Sequence, residues 1–532
     1  MATKKEIQGD EQLHSSLNVL AKSSFIVFGG IVLSKIFTYL YRVMIARGFG
    51  PEGYGLYALM VMMVGWFVTF ADMGFSHGIL RYTSLYRGKN QIKKIQYLYR
   101  FNQHVLTIPS IILGIALFVF SDFIALHYFN NASFSVFLKI ASILVPLTVY
   151  TYLYLGIIRA YEKISWYSFI FNIVQNVAKV AALGILIWVG AGLISIPWSN
   201  VAGTLGMFLV AYLLCKRYLP ELFKRSRISS SEKRTIRKEV IAYSLPLLFF
   251  SIVSTIFYWI DSFSIGYYKG AAAVGLYNAA VPIVLFLSIA PELFMQLFFP
   301  LVNREYGKNN HALVKELSKQ VVKWIYLVNL PLFILMFFFP GTAINLLFGA
   351  EYLEAATALR ILAVGGIISS LFTVSNQLMS AIGKTKLILG NIVAACLLNA
   401  LLNALFIPLP SIGFIENGLG INGAALATVI SLMVLNLLLM IQSWNALKFI
   451  PFRRKLATIT LSALIPTLLL LIAERGLEST LGKALVLSTG FFLVYLLLIL
   501  LTKSLDANDW KVITSTFKKF KQRSFSPSPE EH

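Results

Sequence analysis

Two cysteines are all that the 532 residues contain, and Cys215 and Cys396 stand far apart in apolar or membrane-edge sequence, without CxxC spacing or Cys/His clustering. That pattern excludes a disulfide framework and a zinc site. Neither GxxxxGKS nor GxxxxGKT occurs, so the chain encodes no ATP-hydrolysing phosphate loop. Charge is scarce and negative charge scarcest: 13% of residues are charged, 23 of them acidic against 46 basic. The alternating ten-residue segments of a membrane β-barrel are missing too. No small-residue cleavage site follows a short apolar region near the start. The opening "MATKKEIQGDEQLHSSLNVLAKSS" is therefore expected to be a cytosolic tail and not a signal peptide.

What is present is long apolar sequence. Hydrophobic residues make up 58% of the chain, against about 45–50% for soluble proteins, and they come in runs of about 20, enough to cross a membrane as helices. The runs predict an all-α polytopic membrane protein of fourteen spans, near 24–47, 54–79, 100–121, 136–158, 165–189, 193–215, 242–267, 274–301, 321–345, 355–382, 386–408, 420–446, 456–474 and 484–502.

The +23 net charge is sorted by loop. Most Lys and Arg fall in the N-terminal tail and every second loop, as in "RYTSLYRGKNQIKK" (81–94), "KRYLPELFKRSRISSSEKRTIRKE" (216–239), "KFIPFRRK" (448–455) and "KKFKQR" (518–523). The opposite loops hold few, among them Arg47, Lys139, Lys269 and Lys483. By the positive-inside rule both termini and the long basic loops are expected in the cytosol. The charge then serves topology and anionic lipid, and nucleic acid is not an expected partner.

The chain also repeats itself. "ARGFGPEGYGLYALM" (46–60) and "YYKGAAAVGLYNAAV" (267–281) carry Gly-Leu-Tyr 220 residues apart. A second echo joins "IIRAYEKISWYSFIFNIVQN" (157–176) to "LMSAIGKTKLILGNIVAACLLN" (378–399), with Asn-Ile-Val at Asn172 and Asn391. Six spans separate equivalent points, so the halves are expected as parallel repeats about an axis along the membrane normal. The expected organisation is a tail (1–23), an N-lobe (24–215), a basic loop (216–241), a C-lobe (242–446), two extra spans (447–502) and a cytosolic tail (503–532). The Gly-Leu-Tyr stretches are read as outer corners where glycine lets the chain turn back.

Ionisable groups at membrane depth cost about 2.5–3.5 kcal/mol even on the mild insertion scale, so each should face a wet cavity or a partner. Lys35, Thr38, Tyr39, Arg42 and Ala46 share a face of span one. Asn172, Gln175, Asn176 and Lys179 form a stripe on span five, and Ser251, Ser254, Thr255, Tyr258, Asp261 and Ser262 one on span seven. Span eleven carries Asn391, Asn399 and Asn403. Lys35 either lines a cavity or snorkels, and the asparagines either touch a ligand or glue helices together. Arg42 and Asp261 reach similar depth on equivalent spans, which allows an ion pair acting as a gate. Asp72 and Arg81, near the cytosolic end of span two, fit a structural bond as well as substrate contact. Asp72, Asp261 and Glu292 are the acids at depth.

"ARGFGPEGYGLYAL", "FADMGFSHGILRYTS", "LGIIRAYEKISWYSFIFNIVQNV" and "GLGINGAALATVISLMVLN", in that order, resemble the polysaccharide-exporter branch of the multidrug/oligosaccharidyl-lipid/polysaccharide superfamily, with its O-antigen-type flippases, stage V sporulation protein B and lipid II flippases. The resemblance implies a two-lobed transporter that carries a polyprenyl-(pyro)phosphate-linked saccharide from the cytosolic to the outer leaflet by alternating access. It implies no enzyme activity and no cofactor, with an Na+ or H+ gradient or the membrane potential as driving force. It further implies membrane lipids and glycan-assembly enzymes as partners, and a monomer as the working unit. In lipid II flippases basic side chains of the first two spans line the cavity, a role open here to Lys35, Arg42 and Arg81. With Tyr39, Asn172, Asn176, Lys179 and Tyr258 these make the candidate cavity, and Asp72, Asp261 and Glu292 the candidate gating or ion-coupling set. A multidrug/organic-cation antiporter of the same fold is the alternative. Its cavity should hold acids in the N-lobe, where this chain has a basic stripe. A membrane glycosyltransferase would need acidic catalytic residues on a sizeable outer loop, and none is expected.

Overall fold

A straight helix would hold Tyr41 and Tyr57 about 24 Å apart at 1.5 Å per residue. In the computed structural model their rings lie 5.6 Å apart. The long helix Lys4–Asp72 is therefore a hairpin, folded at Gly50 (φ 65°, ψ −173°). The helix Ser230–Val284 does the same at Gly270 (φ 80°, ψ −179°), bringing Tyr277 to Asp261. Those dihedrals are open essentially to glycine alone. Pro51 then takes the first position of the returning arm, where its missing N–H and fixed φ cost nothing.

The structure describes residues 4–224, 228–410, 419–475, 481–502 and 504–505, with side chains from residue 33 onward save 297, 474–475, 481 and 484–485. Residues 225–227 of the basic loop and nearly all of the expected C-terminal tail lie outside the described residues. Among the described residues eleven helices are long and apolar enough to cross a membrane, and no strand occurs. Leu33–Asp72 and Ser230–Gln296 each hold two of the expected spans on either side of a glycine bend, and the shorter Val486–Leu501 holds the last. This is an all-α, multi-pass membrane protein.

The sequence reading needs two corrections. The bends fall at Gly50 and Gly270, five residues before the glycines of Gly-Leu-Tyr. Gly55 and Gly275 do not turn the chain; they let two helix backbones touch. A Cβ on Gly55 would lie 1.7 Å from the carbonyl oxygen of Ala271, and one on Gly275 would lie 1.9 Å from that of Pro51. The pattern is a small-residue crossing of membrane helices. Span two also ends earlier than expected. Met73 (φ 48°) and Gly74 (φ 74°) break it after Asp72, and Phe75–Gly88 runs on separately.

By its internal contacts the chain forms two compact units. The first joins Met1–Ala279, Leu347–Ala355 and Ile392–Thr428. The second joins Ala280–Leu346, Ala356–Asn391 and Val429–His532. Within the second, Phe298, Val322, Ile325 and Leu378 anchor one apolar cluster, and Ile459, Phe491 and Tyr495 another. The second sequence echo has matching backbone geometry. Glu162 (φ 58°) and Gly383 (φ 75°) both take the left-handed conformation. Lys163 donates its N–H to Ile158 O at 3.1 Å, and Lys384 does so to Met379 O at 3.0 Å. Both are the 6→1 bond that closes a helix C-terminus.

Candidate functional site

The first hairpin sets Ser34, Thr38 and Arg42 one turn apart, facing the stretch 164–188. Asn176 joins the two: it donates to Ser34 Oγ and accepts from Thr38 Oγ1, both at 3.2 Å. Just before it, Phe169–Val174 forms a π turn, and Asn172 donates to Ser168 Oγ at 3.0 Å within this stretch. Asn176→Ala would leave both hydroxyls without their partner, an expected loss of about 1 kcal/mol. Thermal unfolding in detergent checks this, and an unchanged midpoint would count against the seam.

Arg42 and Lys179 rise from this seam. The Lys179 stem lies over Gly203, where a Cβ would come within 2.3 Å of its Cγ. Arg42 Nη1 donates to Tyr54 Oη at 3.4 Å, while its Nε is buried without an acceptor. The phenols of Tyr39, Tyr54, Tyr57 and Tyr258 surround the guanidinium electrostatically, and Lys179 feels its charge. Neither cation pairs with a carboxylate among the described residues. Two like charges, with phenols around Arg42, can together stabilise an anion.

Asp261, 6% exposed, has neutral company. It accepts from Tyr277 Oη at 2.7 Å, from Asn403 Nδ2 at 2.8 Å and from the Thr428 hydroxyl. The expected gate between Arg42 and Asp261 is not formed, because Asp261 spends its acceptor capacity on these donors and Arg42 turns to Tyr54. The two groups are nevertheless linked. Tyr54 donates to the carbonyl of Asn278 at 3.2 Å, and Asn278 donates to Ser262 at 3.0 Å, one residue along from the Tyr277–Asp261 bond.

Of the other expected residues, Tyr258 stays within electrostatic reach of Arg42, and the rest have their own surroundings. Lys35 is half-buried and has no partner among the described residues. Tyr258 is half-exposed, its ring edge-on to Trp259 at 4.9 Å. Arg81 stacks on Tyr243 at 4.4 Å, in a group where Tyr82 donates to Glu239 O at 3.0 Å and Tyr86 to Glu239 Oε2 at 3.2 Å. Burial and the nearby Glu239 carboxylate push both phenols above their ordinary range. Asp72 accepts from the N–H and the hydroxyl of Ser76, capping the helix after the Met73–Gly74 break. Glu292 is exposed and accepts from Ser288 at 3.3 Å within the second unit. Sequence reasoning missed Tyr54, Tyr57, Tyr277, Asn278 and Thr428 as site residues. The signal was available: Tyr57 and Tyr277 are the tyrosines of the repeated Gly-Leu-Tyr.

The family described as "Polysaccharide biosynthesis protein" matches residues 20–304, and the family described as "MatE" matches residues 246–405. The chain is 23% identical over 418 residues to an uncharacterized membrane protein of Methanocaldococcus jannaschii, covering 76% of this chain and 80% of that one. It is 24% identical over 356 residues to a putative O-antigen transporter of Shigella flexneri, covering 64% and 80%. Among solved structures, the lipid II flippase MurJ in an inward closed conformation superposes with a TM-score of 0.69 at 16% identity, over 91% of this chain and 99% of that one.

Proposed function

Since the chain belongs to the polysaccharide biosynthesis protein family of membrane transporters, we propose that it is a flippase for a polyprenyl-(pyro)phosphate-linked saccharide. Its cargo would pass from the cytosolic to the outer leaflet through the path lined by Arg42 and Lys179. The observation that carries this is the Arg42–Lys179 pair, held at membrane depth with no carboxylate paired to it among the described residues and with Arg42 Nε lacking an acceptor. A pyrophosphate leaving the headgroup region must exchange water for other donors, and guanidinium and ammonium groups supply charge-assisted bonds. The tyrosines around Arg42 offer further donors, and the isoprenoid tail can stay in lipid. By the sorting of basic loops, Gly50 and Gly270 face outward and both termini lie in the cytosol of a prokaryotic cell. Asp261 is the ion-coupling group of this reading: a buried carboxylate met only by neutral donors has room in its charge balance for one proton or one Na+.

The match of residues 246–405 to the MatE family favours a second reading, export of an organic cation, with Asp261 as its acid. One experiment separates the two. In proteoliposomes, binding of a polyprenyl-pyrophosphate-linked sugar is measured beside an organic cation, for wild type, Lys35→Ala/Arg42→Ala and Lys179→Ala. The lipid is expected to bind preferentially and to weaken about tenfold or more in the Arg42 and Lys179 variants, since each removes a charged contact. Cation binding with indifference to the lipid would move the assignment to the exporter.

A further inference from the structure

Connections between helices ordinarily run along the surface and expose their side chains. Among the described residues of the first unit, two connections each bury an aromatic side chain. Leu347–Ala355 hides Phe348 and Tyr352 to 1% exposure each, and the stretch 124–131 hides Phe129 to 3%. These segments are repeat equivalents: Leu126 and Leu346, and Tyr128 and Phe348, stand 220 residues apart. Their seats are equivalent too. Tyr352 donates its hydroxyl to Ala46 O at 3.2 Å, and Phe129 lies so close to Gly266 that a Cβ there would come within 2.8 Å of the ring. Ala46 and Gly266 are again 220 residues apart, each four residues before its glycine bend. Each connection therefore caps the hairpin of the other copy.

One residue joins this cap to the cationic site. The Tyr54 ring lies 5.7 Å from Phe348 and 6.2 Å from Tyr352, and its hydroxyl is the one Arg42 holds. We infer that these two segments are paired lids over the bend end of the path, with Leu347–Ala355 latched shut by Arg42 through Tyr54 and released when a phosphate anion takes over the Arg42 donors. This rests on the anion reading of Arg42 given above. The Arg42–Tyr54 bond is long, at 3.4 Å, and its acceptor is neutral, whereas a phosphate is ionised and can take two guanidinium N–H groups at once, so an arriving anion outcompetes the phenol. Tyr54 then keeps only the Asn278 carbonyl and its ring contacts. Gly349 (φ 108°), with nothing within 4 Å of where a Cβ would stand, gives Leu347–Ala355 a point about which to swing. Tyr54 is on this account a positioning residue, which ties occupancy of Arg42 to the lid.

The test uses the full chain in nanodiscs with Cys215→Ser and Cys396→Ser, and with Ala355→Cys, a position 0% exposed, as reporter for a membrane-impermeant maleimide. The probe ligand is farnesyl pyrophosphate, with farnesol as control. Labelling is expected to accelerate about fivefold or more with the pyrophosphate, and to stay flat with farnesol or in Arg42→Ala. Tyr54→Phe is expected to label fast without ligand and to gain nothing from it. Binding measured on the same nanodiscs tells the failures apart: a ligand that binds without changing the labelling overturns the lids, whereas absence of binding overturns the anion reading together with its trigger. If Ala355→Cys does not fold, hydrogen exchange of the Leu347–Ala355 backbone in the chain without that substitution, with and without farnesyl pyrophosphate and in Arg42→Ala and Tyr54→Phe, decides by the same comparison.

Discussion

Gly55→Ala is expected to cost more than about 3 kcal/mol and to remove most of the folded protein, the upper end of what one added methyl does in a packed interior. The reason lies in what the methyl would meet. Its carbon would stand 1.7 Å from the Ala271 carbonyl oxygen, with the Gly275 nitrogen 3.0 Å away, and both are backbone atoms of the opposing helix. No rotamer change relieves such a clash. Ordinary C···O contact is about 3.3–3.6 Å, so the two helices must separate by roughly 1.5 Å or more. Gly275→Ala meets Pro51 O at 1.9 Å and should behave alike. The double variant should cost less than the sum, because the first methyl has already opened the crossing. Gly390→Ala is the control: it lies in a helix with open space around it and should be neutral or mildly stabilising. Folded yield by size-exclusion and thermal unfolding read all four variants. A Gly55→Ala protein as stable as wild type would show that the crossing is not as tight as described.

Asp261→Asn and Asp261→Ala should part company. Alanine removes the acceptor shared by Tyr277, Asn403 and Thr428, and each buried donor left alone costs about 1–3 kcal/mol. The alanine protein is therefore expected to fold poorly. Asparagine keeps an acceptor oxygen and loses only the charge, so it should fold, while transport falls about 100-fold and no longer responds to an imposed Na+ or proton gradient, as the proposed coupling role requires. Flipping of a fluorescent lipid-linked sugar in proteoliposomes, with and without each gradient, is the measurement. Wild-type transport with an intact gradient response in Asp261→Asn would remove Asp261 from the coupling mechanism.

Apolar run length carried the spans, because a membrane segment must hide its backbone within one uninterrupted helix. Repetition carried the hairpins. Gly50 and Gly270 recur because each bend needs backbone angles that no other residue takes up readily. Three features were not legible. Asp261 and Arg42 share depth and sign complementarity, so the sequence offers them as a pair. What keeps them apart is a set of neutral donors from residues as distant as Asn403 and Thr428, and depth alone does not encode lateral position. Tyr54 reads as an ordinary aromatic until the hairpin folds it onto Arg42. The break at Met73 was hidden because a lone Gly74 does not by itself end an apolar run, and Asp72, which accepts from the Ser76 N–H, reads simply as an acid at depth. Nine and eight residues before the corresponding bends, moreover, Tyr41 and Arg42 in one copy stand where Asp261 and Ser262 stand in the other. The two copies thus carry a cation and an acid at neighbouring positions of repeat-equivalent helices.

The π turn at Phe169–Val174 bears on how the two copies have aged. Asn172 follows Lys163 by nine residues, whereas Asn391 follows Lys384 by only seven, and the later helix Thr385–Phe406 has no wide turn. A wide turn takes in an additional residue without lengthening the helix to match, so the chain beyond it keeps its depth and its facing. Asn176 and Lys179 thus hold their places although the first copy is locally longer. Length differences between repeats of a membrane protein need not surface as loops; here part of one has been absorbed within a membrane helix, just before Asn176.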